Sequence, residues 1–81
     1  MEKETFGKIL KELREKKGLT LRQLEKELRE VTFAYLSQLE VGIAKPSEDL
    51  ARKIAKFFGY DEEKLVFLAR DIPAQIKEIK K

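Results

Sequence analysis

The chain has 81 residues, a net charge of +3, 41% charged and 42% hydrophobic side chains, and no cysteine, histidine or tryptophan. Without cysteine there is no disulfide framework or thiolate metal site, and without histidine a zinc site or a histidine general base is excluded, so an enzyme loses most of its usual tools and no cofactor is expected. At this length folding buries only about 60% of the unfolded chain's surface, so one compact domain over residues 1–81 is expected.

A first helix is expected from about Phe6 to Lys17. Thr5 is its N-cap, Phe6, Ile9, Leu10 and Leu13 line one face, and Gly18 follows its end. The stretch from Gly18 to Ser47, GLTLRQLEKELREVTFAYLSQLEVGIAKPS, is the most informative in the chain. Leu21, Leu24 and Leu28 recur at helical spacing, with Arg22, Lys26 and Arg29 opposite, and Thr20 with Gln23 makes a capping box. A second short helix is expected to start near Thr32, bury Leu36 and Leu39, and leave Phe33, Ala34, Ser37, Gln38 and Val41 pointing elsewhere before Gly42 ends it. Two short helices joined by a tight turn over residues 20–42 have the layout of a helix-turn-helix.

Lys45-Pro46-Ser47 then reads as a loop feeding a fourth helix, with Ser47 as N-cap and Glu48 and Asp49 at the positive end of the dipole. Leu50, Ile54, Phe57 and Phe58 form its apolar stripe and Gly59 stops it. Asp61 caps a fifth helix that buries Leu65, Leu68 and Val66, and Asp71-Ile72-Pro73 opens a last one with Ile72, Ile76 and Ile79 on one side. The fold class is therefore all-α, five to six short helices without strands.

No apolar run is long enough to span a membrane, and the first residues lack a signal-peptide pattern, so no membrane partner and a cytoplasmic location are expected. The abundance of Lys and Glu, with Asn, Cys, His and Trp absent, matches the drift reported for hyperthermophiles. Charge is unevenly placed. Residues 1–19 carry six Lys/Arg against four Glu, residues 20–49 four against six acids, and residues 50–81 eight against five. The basic surplus lies outside the motif.

Together these residues resemble the lambda-repressor-like helix-turn-helix family of regulators, the XRE type. The resemblance rests on Leu13-Arg14 before Gly18-Leu19-Thr20, on Leu24, on Tyr35-Leu36-Ser37-Gln38-Leu39-Glu40 with Gly42, and on Pro46-Ser47 leading to Leu50, Ile54-Ala55 and Gly59. It implies a lambda-repressor-like DNA-binding domain whose function is transcriptional regulation, with repression by promoter occupancy as the expected mode and double-stranded DNA as the partner. It also implies a structural pair between Arg14 and Glu40. The tail from Leu65 to Ile79 is similar to a subgroup whose C-terminal elements support dimerisation, here residues 61–80, although Arg70 stands where that subgroup has glycine. A homodimer would set two recognition helices roughly 34 Å apart on a pseudo-palindrome.

Carried onto this chain, the resemblance places Thr32, Phe33, Ala34, Ser37 and Gln38 at base-facing positions, with Thr20, Arg22, Gln23 and Lys45 as phosphate contacts. Gln38 suits bidentate pairing with adenine, and Phe33 and Ala34 offer apolar contact to thymine methyls. Three features depart from the family pattern. Glu25 follows Leu24 where a small alanine is usual, and a carboxylate there must tilt to water or find a partner. Leu24 and Leu36 stand twelve apart, one more than usual, across a turn, Arg29-Glu30-Val31, that lacks glycine. From Val31 to Ala44 there is no Lys or Arg, and Val41, Ile43 and Ala44 stand where basic or polar residues are common. An apolar trio beside Phe33 fits a protein partner instead. The alternative is therefore an antitoxin-like interaction module, contacted through Phe33, Val41 and Ile43, with weak or no DNA binding.

Overall fold

The computed structural model describes residues 4–70. Five helices follow one another: α1 Phe6–Lys16, α2 Leu21–Leu28, α3 Phe33–Val41, α4 Glu48–Phe58 and α5 Glu62–Arg70, with no strand among the described residues. The expected last helix, with Ile72, Ile76 and Ile79, lies outside the described residues, as does half of the expected dimerisation element, residues 71–80.

Local chemistry sets each start. The Thr5 hydroxyl accepts from the Lys8 N–H, Thr20 from Gln23, Thr32 from Tyr35 and Ser47 from Leu50, each at 3.1 Å. Asp61 Oδ1 accepts from the N–H groups of Glu63 and Lys64. Each such cap satisfies a helix N–H that would otherwise lack a partner, at about 1 kcal/mol apiece. Gln23 returns the favour through Oε1, which accepts from the Thr20 N–H at 2.8 Å and completes the capping box.

The core is one cluster. Phe6, Leu10, Leu24, Leu28, Leu36, Leu39, Ile54 and Leu65 are its largest fully buried members, drawn from all five helices. α1 packs on α3 and α5, α2 on α3, and α4 on α5. The α4 stripe is narrower than its hydropathy suggests. Ala51 and Ala55 are fully buried beside Leu50 and Ile54, whereas Phe57 and Phe58 are only half-buried and stack edge to face, 4.9 Å apart at 79°. On α5, Leu65, Val66, Leu68 and Ala69 are buried, and Phe67 stays exposed.

Arg52 joins α4 to α5, its guanidinium reaching Glu62 at 3.4 Å and Glu63 and Glu48 at 3.2 Å. Arg70 adds a second contact to Glu48 at 3.3 Å. Hydrogen bonds from Arg70 and then Arg52 hold the Glu48 carboxyl below the usual carboxylate range. Glu62 and Glu63 are thus engaged by a cation rather than arranged as an acid and base. Solvent screens these exposed pairs, so each contributes little to stability.

Gly7, a glycine inside α1, is buried where the backbones of α1 and α3 approach closely. A Cβ at this position would fall under 3.0 Å from the Leu39 and Glu40 carbonyl oxygens, so only glycine lets α1 lie directly on the end of α3. Gly7→Ala improves helix propensity by about 1 kcal/mol but forces two backbones apart. The expected net loss of stability is about 1–3 kcal/mol, read as a drop in melting temperature on thermal denaturation. A variant as stable as the parent would show that the helices are not in close contact.

Candidate nucleic-acid interface

The two motif helices pack on each other with Leu24 and Leu36 both fully buried, and the longer turn between them does not keep them apart. Its extra length is absorbed at Arg29. This residue adopts φ 63° and ends α2 with its N–H donating to the Glu25 carbonyl, taking the left-handed conformation that glycine supplies at other helix ends. An L side chain there costs roughly 1–2 kcal/mol, offset by the burial on either side. Glu30, the next residue, is tied to Lys53 of α4 at 2.7 Å.

Glu25 finds a partner. Its Oε2 accepts from the Phe33 N–H at 3.2 Å, so the carboxylate caps the first turn of α3 from the neighbouring helix while Thr32 caps the same turn from within. A negative group beside a helix N-terminus is favourable by about 0.3–1 kcal/mol. That N-terminus is consequently occupied by a carboxylate of the chain itself.

At the other end of α3, Arg14 Nε donates to Glu40 Oε2 at 2.7 Å and Arg14 Nη2 to Glu40 Oε1 at 3.1 Å. Nη1 of the same guanidinium donates to the Leu19 carbonyl at 2.8 Å. One side chain therefore holds α1, the loop before α2 and the last turn of α3. The pair is nearly enclosed, with side-chain exposures of 12% and 7%, and the Glu40 hydrogen bond raises Arg14 still further above its ordinary pKa.

These constraints dispose the residues expected to meet DNA. Thr20, Arg22, Gln23, Thr32, Ala34, Gln38 and Lys45 are exposed, and Phe33 and Ser37 are half-buried. The hydroxyls of Thr20 and Thr32 and the Gln23 Oε1 serve as caps, so these residues present only their remaining donors outward. The carbonyl of Gln38 accepts from the N–H groups of Gly42, Ile43 and Ala44, closing the turn after α3 with Gly42 at φ 89°, while its amide has no partner among the described residues. Tyr35 makes a structural contact that the spacing of candidate residues does not single out. Its hydroxyl donates to the Lys45 carbonyl at 3.2 Å and ties the loop carrying Lys45 to α3. The only advance signal was its place in the Tyr35-Leu36-Ser37 run.

The proposed apolar patch is divided. Val41 and Ile43 are exposed by 67% and 73%. Phe33 lies about 12 Å away along α3 at 1.5 Å per residue. Its ring, moreover, is covered by the Arg22 guanidinium, 4.2 Å from the centroid. The fold thereby brings a cation onto the start of a helix whose own sequence has none.

A family model for the helix-turn-helix matches residues 10–65, which takes in the end of α1, the whole motif, α4 and the start of α5. The chain belongs to the lambda-repressor-like (XRE) helix-turn-helix family. Membership makes it, in general terms, a DNA-binding regulator of transcription on an all-α fold. Comparisons with curated proteins and with solved structures gave no significant match. No helix among the described residues is long and apolar enough to cross a membrane.

In this helix-turn-helix, Glu40→Ala leaves the nearly enclosed Arg14 guanidinium without its carboxylate. Breaking such a pair from one side costs about 3–5 kcal/mol, against under about 1 kcal/mol for a solvent-exposed one. Thermal or denaturant melts are expected to give the larger loss. A loss below about 1 kcal/mol would mean that the pair does not hold α1 to α3.

Proposed function

We propose that the chain is a sequence-specific repressor that reads duplex DNA with the Thr32 to Gln38 face of α3 and acts by occupying promoters. The observation that carries this reading is the free, exposed amide of Gln38 on a helix whose two ends are tied down, by Glu25 at the start and by Arg14 at the finish. A rigid helix presenting an unengaged amide suits bidentate pairing to adenine N6 and N7 in the major groove. Thr20 and Gln23 at the start of α2 and Lys45 beyond α3 flank that face as backbone contacts. With so few cations near the reader, each subunit neutralises only about three or four phosphates, and the salt dependence is shallow by the slope of about −0.9 per phosphate.

The functional form is a homodimer through residues 61–80. This rests on the sequence spacing of Ile72, Ile76 and Ile79, which is the spacing expected of an apolar helix face. Light scattering is expected to return the mass of two chains; a monomer at micromolar concentration would contradict the dimer while leaving the reader unaffected.

Binding to sequences selected from a randomised duplex library tests the reader directly. Gln38→Ala is expected to relax preference at one base position by about 1–3 kcal/mol, and Lys45→Ala to weaken all sequences alike and reduce the salt slope by about one. Absence of binding to the library even at about 50 mM salt, where phosphate contacts are strongest, would remove the reading.

A second reading is favoured by the exposure of Val41 and Ile43, which is high for large apolar side chains. In it the same fold is an antitoxin-like module that contacts a protein through these residues. Ile43→Asp would then abolish partner capture, whereas a DNA reader keeps its affinity for the selected duplex.

A further inference from the structure

Arg22 is the second residue of α2 and Phe33 the first of α3, eleven positions apart in the chain, yet the Arg22 guanidinium lies over the Phe33 ring at 4.2 Å from its centroid. Arg22 is exposed, and neither a carboxylate nor any hydrogen-bond acceptor among the described residues engages it. Glu25, the acid on the same side of the turn, is committed to the Phe33 N–H. The guanidinium is thus held by a surface that accepts no hydrogen bond from it, and its N–H donors are left for a ligand.

A guanidinium over an aromatic face is favourable even at an exposed site, and the contact limits the rotamers of a long side chain before any ligand arrives. Its position matters as much as its restraint. Recognition helices of this motif bring their N-terminal residues to base edges, and Arg22 stands over the first residue of α3, not over the outer face of α2. Phosphate contact needs only charge. Planar paired donors held in a fixed place suit guanine, whose O6 and N7 form the commonest arginine target in the major groove.

We propose that Arg22, seated on Phe33, reads a guanine in the major groove, with Phe33 acting as its positioning residue and not as a thymine contact. This rests on α3 being the DNA reader, and it specifies the chemistry of one base position in the site. It also accounts for a helix without cations of its own, because the arginine reaches the groove from the preceding helix.

The test is selection from a randomised duplex library, followed by binding of the full chain and its variants to the selected sequences and to each single-base change. The parent is expected to prefer guanine at one fixed position by roughly 5- to 150-fold, which is about 1–3 kcal/mol at 1.4 kcal/mol per tenfold. Arg22→Ala is expected to abolish that preference alone. Arg22→Lys, which keeps the charge, should lose most of it while leaving the salt slope unchanged. Phe33→Leu should weaken the same preference and Phe33→Trp should preserve it, a pattern that a purely structural role for the ring would not give. Should Phe33→Leu fail to fold, the two Arg22 variants and Phe33→Trp still decide the matter. If Arg22→Ala weakens every sequence equally, lowers the salt slope by about one and leaves all base preferences intact, Arg22 is a phosphate contact and the inference is overturned. That result differs from failure of the reader itself, in which the parent selects no sequence from the library.

Discussion

The bidentate contact between Arg14 and Glu40 is the constraint on which the rest of the domain depends. A carboxylate at the last turn of α3 and a guanidinium on α1 are enclosed together, and the guanidinium's remaining donor is spent on the loop that leads into α2. Neither charge is tolerable in this environment without the other. Helix α1 therefore does not merely contribute Phe6, Ile9 and Leu10 to the core; it sets the angle at which the recognition helix is displayed. Gly7 completes the same junction, because its missing side chain lets the α1 backbone rest on the carbonyls of Leu39 and Glu40. Packing and charge fix one end of α3 from a single neighbouring helix.

The opposite end of α3 is organised from α2. Glu25 caps it, Arg22 covers its first side chain, and Arg29 takes the left-handed conformation that the turn requires. Each of these residues would look unfavourable in isolation: a carboxylate next to a packed leucine, an aromatic ring on a polar face, a non-glycine residue at positive φ. Their costs are met locally because all three serve the same junction. The departures from the usual family pattern are consequently not independent, since a glutamate in place of alanine and a longer turn go together with a cap that spans the two helices.

Much of this was legible in the sequence because its determinants are local. Thr5, Thr20, Thr32, Ser47 and Asp61 each act within three residues, and all five start a helix as their spacing predicts. Leu24, Leu28, Leu36 and Leu39 fill the motif core at the positions that helical periodicity assigns. The pairing of Arg14 with Glu40 came from family resemblance, as no local pattern connects residues 26 apart. What escaped were contacts made only by the crossing of two helices. Gly7 reads in sequence as a weak helix residue, and its role exists only against α3. Phe33 reads as an exposed apolar side chain until Arg22 arrives over it. On α4, hydropathy ranks Phe57 and Phe58 above Ala51 and Ala55, while burial ranks the alanines higher, because residue size and not transfer free energy decides what fits at the helix contact.

Whether one charge pair orients the helix proposed to read DNA is decided by a double-mutant cycle on Arg14 and Glu40, read as affinity for a library-selected duplex below the melting temperature of every variant. Arg14→Ala and Glu40→Ala are each expected to weaken binding, and the double variant to bind no more weakly than the worse single one, since both remove the same tie. Full affinity in the folded single variants would contradict it.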